Sequence, residues 1–263
     1  MVSGGPAAQR WAEQLASWAI PEEILARAPE SPWGFPPELF AAPDQPPDTP
    51  SRRRALEALP EGGSVLDVGA GAGAAGLALV PPAGRLTAVD QSATMLEALV
   101  AKAGARGVEA QTVTGTWPEV AGQVGPADVV VCHHVLYNVA DAAPFVAALT
   151  EHARRRVVVE ITTAHPQAGL NHLWRHFHGL DRPEGPGLED AIALLREAGV
   201  EPGAERFERP PRAGDLDRRS HVAFVRRRLC LDPSADPEVD RLLPPGAGLP
   251  ATEAACLWWD VAP

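Results

Sequence analysis

The sequence has 263 residues, 45% apolar and 22% charged, which suits one large globular domain or a domain with an appendage and argues against extensive disorder. Against 23 Lys and Arg stand 34 Asp and Glu, a formal charge of −11 that disfavours nucleic acid and anionic membranes as partners. The cysteines, Cys132, Cys230 and Cys256, include no CxxC pair, so a reducing compartment is expected rather than a disulfide framework or a zinc site.

No apolar run approaches the ~20 residues of a membrane-spanning helix. Met1 to Arg10 lacks the basic and apolar regions of a secretory signal, so the expected location is the cytoplasm. Residues 6–28 read as one or two short helices. Trp11, Leu15 and Trp18 recur at helical spacing, and Pro21 suits a first helical position with Glu22 and Glu23 behind it. Residues 29–50 hold eight prolines and exclude regular helix or central strand. Trp33, Phe35, Leu39 and Phe40 favour a segment laid over a surface rather than a free linker. Thr49-Pro50 starts a helix that passes Arg52, Arg53 and Arg54 and reaches about Leu59.

Strand and helix then alternate. Strands are expected at 64–68, 85–89, 109–114, 128–132 and 156–161. Helices are expected at 72–80, at 93–106 (capped by Ser92 and closed by Gly107) and from Asp141 to about Ala153. Helical stretches near 167–178 and 187–198 follow. Segments 204–209 and 221–229 read as a strand hairpin, and 235–243 as a last helix. The pattern predicts a doubly wound α/β fold with a seven-stranded, mostly parallel sheet whose last strand is antiparallel. Residues 1–55 would form a helical and proline-rich cap, and 56–263 the ligand-binding domain.

The stretch from Val65 to Gly73 takes an apolar strand into a tight glycine turn. Glycine permits positive φ and close approach of a ligand, and a helix N-terminus behind the turn favours a negative group. Asp90 closes the second strand, where an acid can accept hydrogen bonds from both hydroxyls of a ribose. These features fit a nucleoside-containing cofactor and do not choose between a dinucleotide and S-adenosylmethionine.

An ordered set of motifs resembles the class I S-adenosylmethionine-dependent methyltransferases. It comprises Asp67-x-Gly69-x-Gly71-x-Gly73, then Ala88 to Ser92 followed by Met95-Leu96, then Gly115 to Pro118, Ala127 to Tyr137, and Leu194 to Gly199 before the expected hairpin. The resemblance covers about 55–229. It implies that Gly69, Ala70 and Gly71 lie against the methionine part of S-adenosylmethionine and that Asp67 helps hold that end. It further implies that Asp90 binds the ribose, that Gln91 and Met95 flank the adenine, and that Thr116 and Trp117 sit beside the ring. Cys132 and His133 would face the methionine end. Where the family often has an acid that accepts from the adenine amino group, this sequence has Thr116, a weaker acceptor.

His133-His134-x-x-Tyr137 follows the fourth strand, where such folds place substrate, and His134 and Tyr137 are the catalytic candidates. A loop that only positions an acceptor is the competing reading, because alignment alone supplies much of the rate of a methyl transfer. His165, His172, His176 and His178 cluster after the fifth strand; with no HExxH or convergent acid they read as solvated or substrate-lining rather than metal-binding. The expected activity is methyl transfer to an oxygen, nitrogen or carbon of a small molecule. The alternatives are an RNA or protein methyltransferase, a non-catalytic S-adenosylmethionine-binding protein, and an NAD(P)-dependent reductase.

Overall fold

Seven strands pair into one sheet, its central ones built on valine runs such as Val129-Val130-Val131 and Val157-Val158-Val159. The computed structural model describes residues 4–33, 45–209, 217–245 and 253–262. The strands are β1 (Ser64–Val68), β2 (Arg85–Asp90), β3 (Glu109–Thr114), β4 (Ala127–His133), β5 (Ala153–Thr162), β6 (Gly203–Glu208) and β7 (Glu253–Asp260). Their order is β3-β2-β1-β4-β5-β7-β6, with β7 antiparallel to both of its neighbours. Val129, Val130, Val131, Val157, Val158 and Val159 are buried, as the central strands of a sheet covered on both faces require.

Each face has its own core. On one, Leu66, Val130 and Val159 meet Trp11 of α1 (Pro6–Ala16), Phe145 and Leu149 of α5 (Ala142–Glu151), and Leu194 and Leu195 of α7 (Leu188–Glu197). On the other, Val65, Val131 and Val158 meet Ala55 of α3 (Pro50–Ala58) and Leu96 and Leu99 of α4 (Ala93–Ala105). The expected caps are present: the Thr49 side chain accepts from Arg52 N at 3.2 Å, and Ser92 Oγ from Met95 N at 3.3 Å. The Glu197 carboxylate accepts from the N–H groups of Ala7 and Ala8, at 2.8 and 2.9 Å, and so anchors the start of α1 on α7. The anticipated boundary at residue 55 falls inside α3, which packs on β5.

A third apolar cluster lies apart from the sheet. It joins Ile20 and Ile24 of the α2 region (Glu22–Leu25) to Leu173 and Trp174 of α6 (Asn171–His178). Val222, Val225 and Leu229 from α8 (Arg218–Arg228) and Val239 from α9 (Asp236–Leu242) complete it. Arg226, only 7% exposed, ties this cluster together through Glu30 at 3.0 Å and Asp236 at 2.9 Å.

Two expectations are corrected here. Residues 221–229 are helix α8, not a strand, and the antiparallel strand is 253–260. The β6–β7 connection is therefore a helical insertion rather than a hairpin. Val222, Val225 and Leu229 are spaced three and four apart, a helical face, and Asp217 caps the helix by accepting from Ser220 N at 2.8 Å. Residues 72–80 form turns and a short 3-10 helix (Gly76–Leu79) instead of an α-helix. There Gly73 has φ +87°, and the Gly76 N–H is taken by Asp67 rather than by an i−4 carbonyl. Of the proline-rich segment, Trp33 is 53% exposed, while Phe35, Pro36, Pro37, Leu39, Phe40 and Pro43 lie outside the described residues.

Candidate active site

The strand order reverses between β1 and β4, so the loops after these two strands diverge and leave a crevice at their carboxyl ends. The glycine turn forms one wall. Gly69 and Ala70 donate to the Val89 carbonyl at 2.8 and 3.0 Å, which pins the turn to β2. At Gly69 (φ +71°) a Cβ would overlap Val135 on the loop after β4, so a side chain there would force that loop to shift. Gly71 (φ +50°) differs: a Cβ there would meet nothing within 4 Å. The backbone at Gly71 thus borders open space, as close approach of a ligand requires.

Two carboxylates frame this turn. Asp90 Oδ2 accepts from Gly71 N at 2.8 Å and Oδ1 from Ser92 N at 2.9 Å, so each oxygen keeps acceptor capacity for a further donor. Asp67 is 1% exposed. Its Oδ2 accepts from Gly76 N at 2.7 Å, and its Oδ1 has no hydrogen-bond partner among the described residues. Burial, with the charge of Asp90 adding to it and the Gly76 bond opposing it, pushes this carboxyl up to about 7.

Beyond β2 and β3, Gln91 and Thr116 are exposed and Met95 is half-buried, and Gly115 N donates to the Asp90 carbonyl at 2.9 Å. The Trp117 indole is buried with its edge against His152, 4.9 Å between ring centroids. Its ring therefore offers no open face to a ligand. Cys132 is likewise wholly inside the core, where burial and then the Asp67 charge push its thiol up.

At the ends of β4 and β5 lies a row of polar aromatics. His134 Nε2 bonds Glu160 Oε1 at 2.9 Å, and His133 Nδ1 is 3.9 Å from Glu160 Oε2. Burial holds His133 below the usual imidazole range, against the pull of Glu160 and with a push from Arg209. Tyr137 stands 6.3 Å from the His134 ring and 6.2 Å from that of His165. Trp18 stacks on His165 at 3.8 Å, and Arg182 donates to the Trp18 carbonyl at 2.8 Å. Burial, then the neighbouring Arg182 charge, brings His165 down to about 4, so it is a neutral ring at physiological pH. Its Nδ1 accepts from Gln167 N at 3.3 Å, which leaves the proton on Nε2.

The structure thus brings Asp67, the glycine turn, Asp90, His133, His134 and Tyr137 to one end of the sheet. It sends His176 and His178 elsewhere: the first pairs with Glu238 at 2.8 Å, the second with the Leu229 carbonyl at 2.7 Å. Among the described residues no group of three or more His, Cys, Asp or Glu side chains is arranged to hold a metal ion. Sequence reasoning missed Glu160 and Arg182. The first had a readable signal, an acid inside the run Val157-Val158-Val159-Glu160-Ile161, which a buried parallel strand tolerates only if paired.

A family model described as a methyltransferase domain matches residues 65–156, the segment that holds the glycine turn, Asp90 and the loop after β4. No curated protein matches the sequence. Among solved structures, YcgJ from Bacillus subtilis is similar, with 15% identity, a TM-score of 0.55, and 80% of this chain and 97% of that one covered. A candidate methyltransferase from Bacillus halodurans covers the same shares at 15% identity and a TM-score of 0.56. A candidate sarcosine dimethylglycine methyltransferase from Galdieria sulphuraria, also 15% identical, covers 79% of this chain and 82% of its own at a TM-score of 0.51. At such identities these likenesses concern the fold.

Proposed function

The protein carries a class I S-adenosylmethionine-dependent methyltransferase domain, and from that premise we propose that its methyl acceptor is a small molecule, bound against the His134–Tyr137–His165 row. S-adenosylmethionine supplies an electrophilic methyl group on a sulfonium; the protein's part is to hold donor and acceptor in line and to keep water out.

The observation that carries the cofactor assignment is the pair of carboxylates around an open glycine turn. The unpartnered Asp67 Oδ1 suits the ammonium of the methionine part, which would supply the charge that a buried carboxylate lacks. Gly69, Ala70 and Gly71 would lie along that part. The free acceptor capacity of Asp90 suits the two ribose hydroxyls. Gln91, Met95 and the Thr116 hydroxyl would border the adenine, with Trp117 contributing through the loop after β3 and Cys132 and His133 through the carboxyl end of β4.

The acceptor would enter between the row of rings and the helical cluster. Trp18 and Arg182 link that cluster to the loops after β4 and β5. We propose that the helical and proline-rich residues ahead of α3, with the β6–β7 insertion, form the cap expected of residues 1–55, and that the cofactor-binding domain takes in α3 as well as residues 56–263. The net charge of −11 supports a small acceptor over RNA. No helix among the described residues is long and apolar enough to cross a membrane.

Calorimetric titration with S-adenosylhomocysteine tests the cofactor assignment. Binding is expected, with none to NADH or NADPH. Asp90→Ala should weaken it roughly 10- to 100-fold, about 1.5–3 kcal/mol for hydrogen bonds to a charged group. Equal affinity in wild type and variant would remove Asp90 from the ribose.

A further inference from the structure

We propose that the protein does not select its donor at the purine 6-position: the amino group there goes unread, and donors whose purine lacks that group, or carries a small substituent on it, are bound as well as the adenine form. This deepens the cofactor reading above and rests on it.

The order of the strands sets the direction in which the donor would lie. Outward from β4 the sheet runs β1, β2, β3. With the methionine part at the turn after β1 and the ribose at Asp90, the base falls to the loops after β2 and β3. Those two loops lie side by side, because Gly115 N donates to the Asp90 carbonyl at 2.9 Å. A purine joins its ribose through one edge, and the 6-position is on the opposite edge. That edge would therefore point away from Asp90 and outward past β3.

The sheet ends there. β3 is its edge strand, and the chain returns from β3 to β4 through turns and one short 3-10 helix (Ala121–Gln123). The loop after β3 winds back on itself: Val120 N donates to the Thr116 carbonyl at 3.1 Å, and the Trp117 indole is buried. Thr116 is left exposed, as is Gln91 on the neighbouring loop.

Neither side chain can tell an amino group from its absence. A hydroxyl and a carboxamide both donate and accept, and each can turn to suit a ligand or water. A hydrogen bond made in so open a place replaces one made to water, so its net worth is modest. The ribose end of the same site is built differently. There Asp90 is a carboxylate, which only accepts, and two backbone bonds, from Gly71 N at 2.8 Å and Ser92 N at 2.9 Å, hold it in one orientation. A fixed anion selects for donors placed against it; two rotatable neutral groups do not.

Calorimetric titration of the full-length protein tests this with S-adenosylhomocysteine and two analogues, one with hydrogen in place of the 6-amino group and one with a methyl group on that nitrogen. The three dissociation constants should agree within roughly threefold. Thr116→Asp should introduce the missing selection, so that the analogue without the amino group binds at least about tenfold more weakly than S-adenosylhomocysteine, the weight of a charge-assisted bond. A loss of tenfold or more on either analogue in the wild type would overturn the proposal. If Glu119→Gln, at the exposed acid of the same turn, then removed that loss, Glu119 would be the group that reads the base. Equal affinities in a folded Thr116→Asp would also overturn it, because the far edge of the base would then lie elsewhere. Failure of the wild type to bind S-adenosylhomocysteine itself would strike the cofactor reading and the proposal with it.

Discussion

The glycine-turn half of the molecule and the helical cluster are held together by different kinds of force. Around β1 and β2, position is set by backbone: Gly69 and Ala70 donate to one carbonyl, Asp90 accepts from the turn, and Asp67 accepts from the residue that begins the 3-10 helix. The helical cluster is tied instead by long side chains, with His178 bonding the Leu229 carbonyl and Arg226 pairing with Glu30 and Asp236. Within it Ile20, Leu173, Trp174, Val222 and Val239, drawn from distant stretches of chain, bury one another. The first half can be disturbed by one added methyl group, the second by one removed side chain.

Trp174→Ala should produce the largest effect on stability. The side chain is fully buried, and its loss should cost roughly 3–5 kcal/mol. If the cluster is a separate unit, hydrogen exchange should speed up in α6, α8 and α9 while affinity for S-adenosylhomocysteine persists. Uniform acceleration across β1 and β4 would erase the distinction between the halves.

Gly69 and Gly71 sharpen it from the other side. Both have positive φ, so alanine costs about 1–2 kcal/mol of backbone strain at either. At Gly69 the overlap with Val135 adds roughly 1–3 kcal/mol, so Gly69→Ala should lower the melting temperature distinctly more. At Gly71 the new methyl meets nothing in the protein, so Gly71→Ala should stay folded yet bind S-adenosylhomocysteine at least tenfold more weakly. Unchanged affinity in Gly71→Ala would mean the ligand does not pass there.

The smallest expected effect is a proton. Asp67 is pushed up to about 7, above its unfolded value, so the native state keeps a proton that the unfolded chain releases. Its contribution to stability is therefore full at pH below the ordinary carboxylate range and is lost as pH rises through about 7. An ammonium against Oδ1 favours the ionised form. Binding of S-adenosylhomocysteine near pH 7 should then release a fraction of a proton, seen as a binding enthalpy that varies with the buffer. Asp67→Asn should abolish that variation, and its persistence in the variant would locate the titrating group elsewhere.

The same contrast explains what could be read in advance. Backbone-determined features leave local marks: the glycines at 69, 71 and 73, the acids at 67 and 90, the caps Thr49 and Ser92. The cluster leaves marks only when distant segments are considered together. Within α8 the run His221-Val222-Ala223-Phe224-Val225 has the composition of a strand, and only Asp217 ahead of it and the spacing of Val222, Val225 and Leu229 speak for a helix. β7 is an interior strand with Ala254, Ala255, Cys256 and Leu257 all buried, so it lacks the alternation that marks a half-exposed strand. In the candidate site, His134 and Tyr137 are proposed from their place after β4. The partnership of His134 with Glu160 depends on the β4–β5 register, which no local pattern records.

The place of β7 in the sheet has a consequence for biosynthesis. Thr163, just past β5, hydrogen-bonds Glu253 at the start of β7, and the two are 90 positions apart. While the chain is being made, the outer edge of β5 must wait for all of that intervening sequence before its antiparallel neighbour emerges. Over that interval the nascent protein presents an unpaired, valine-rich strand edge of the kind that invites association with other chains. The charges of Arg154, Arg155 and Arg156 at its head would oppose such contacts, as gatekeepers beside a hydrophobic strand.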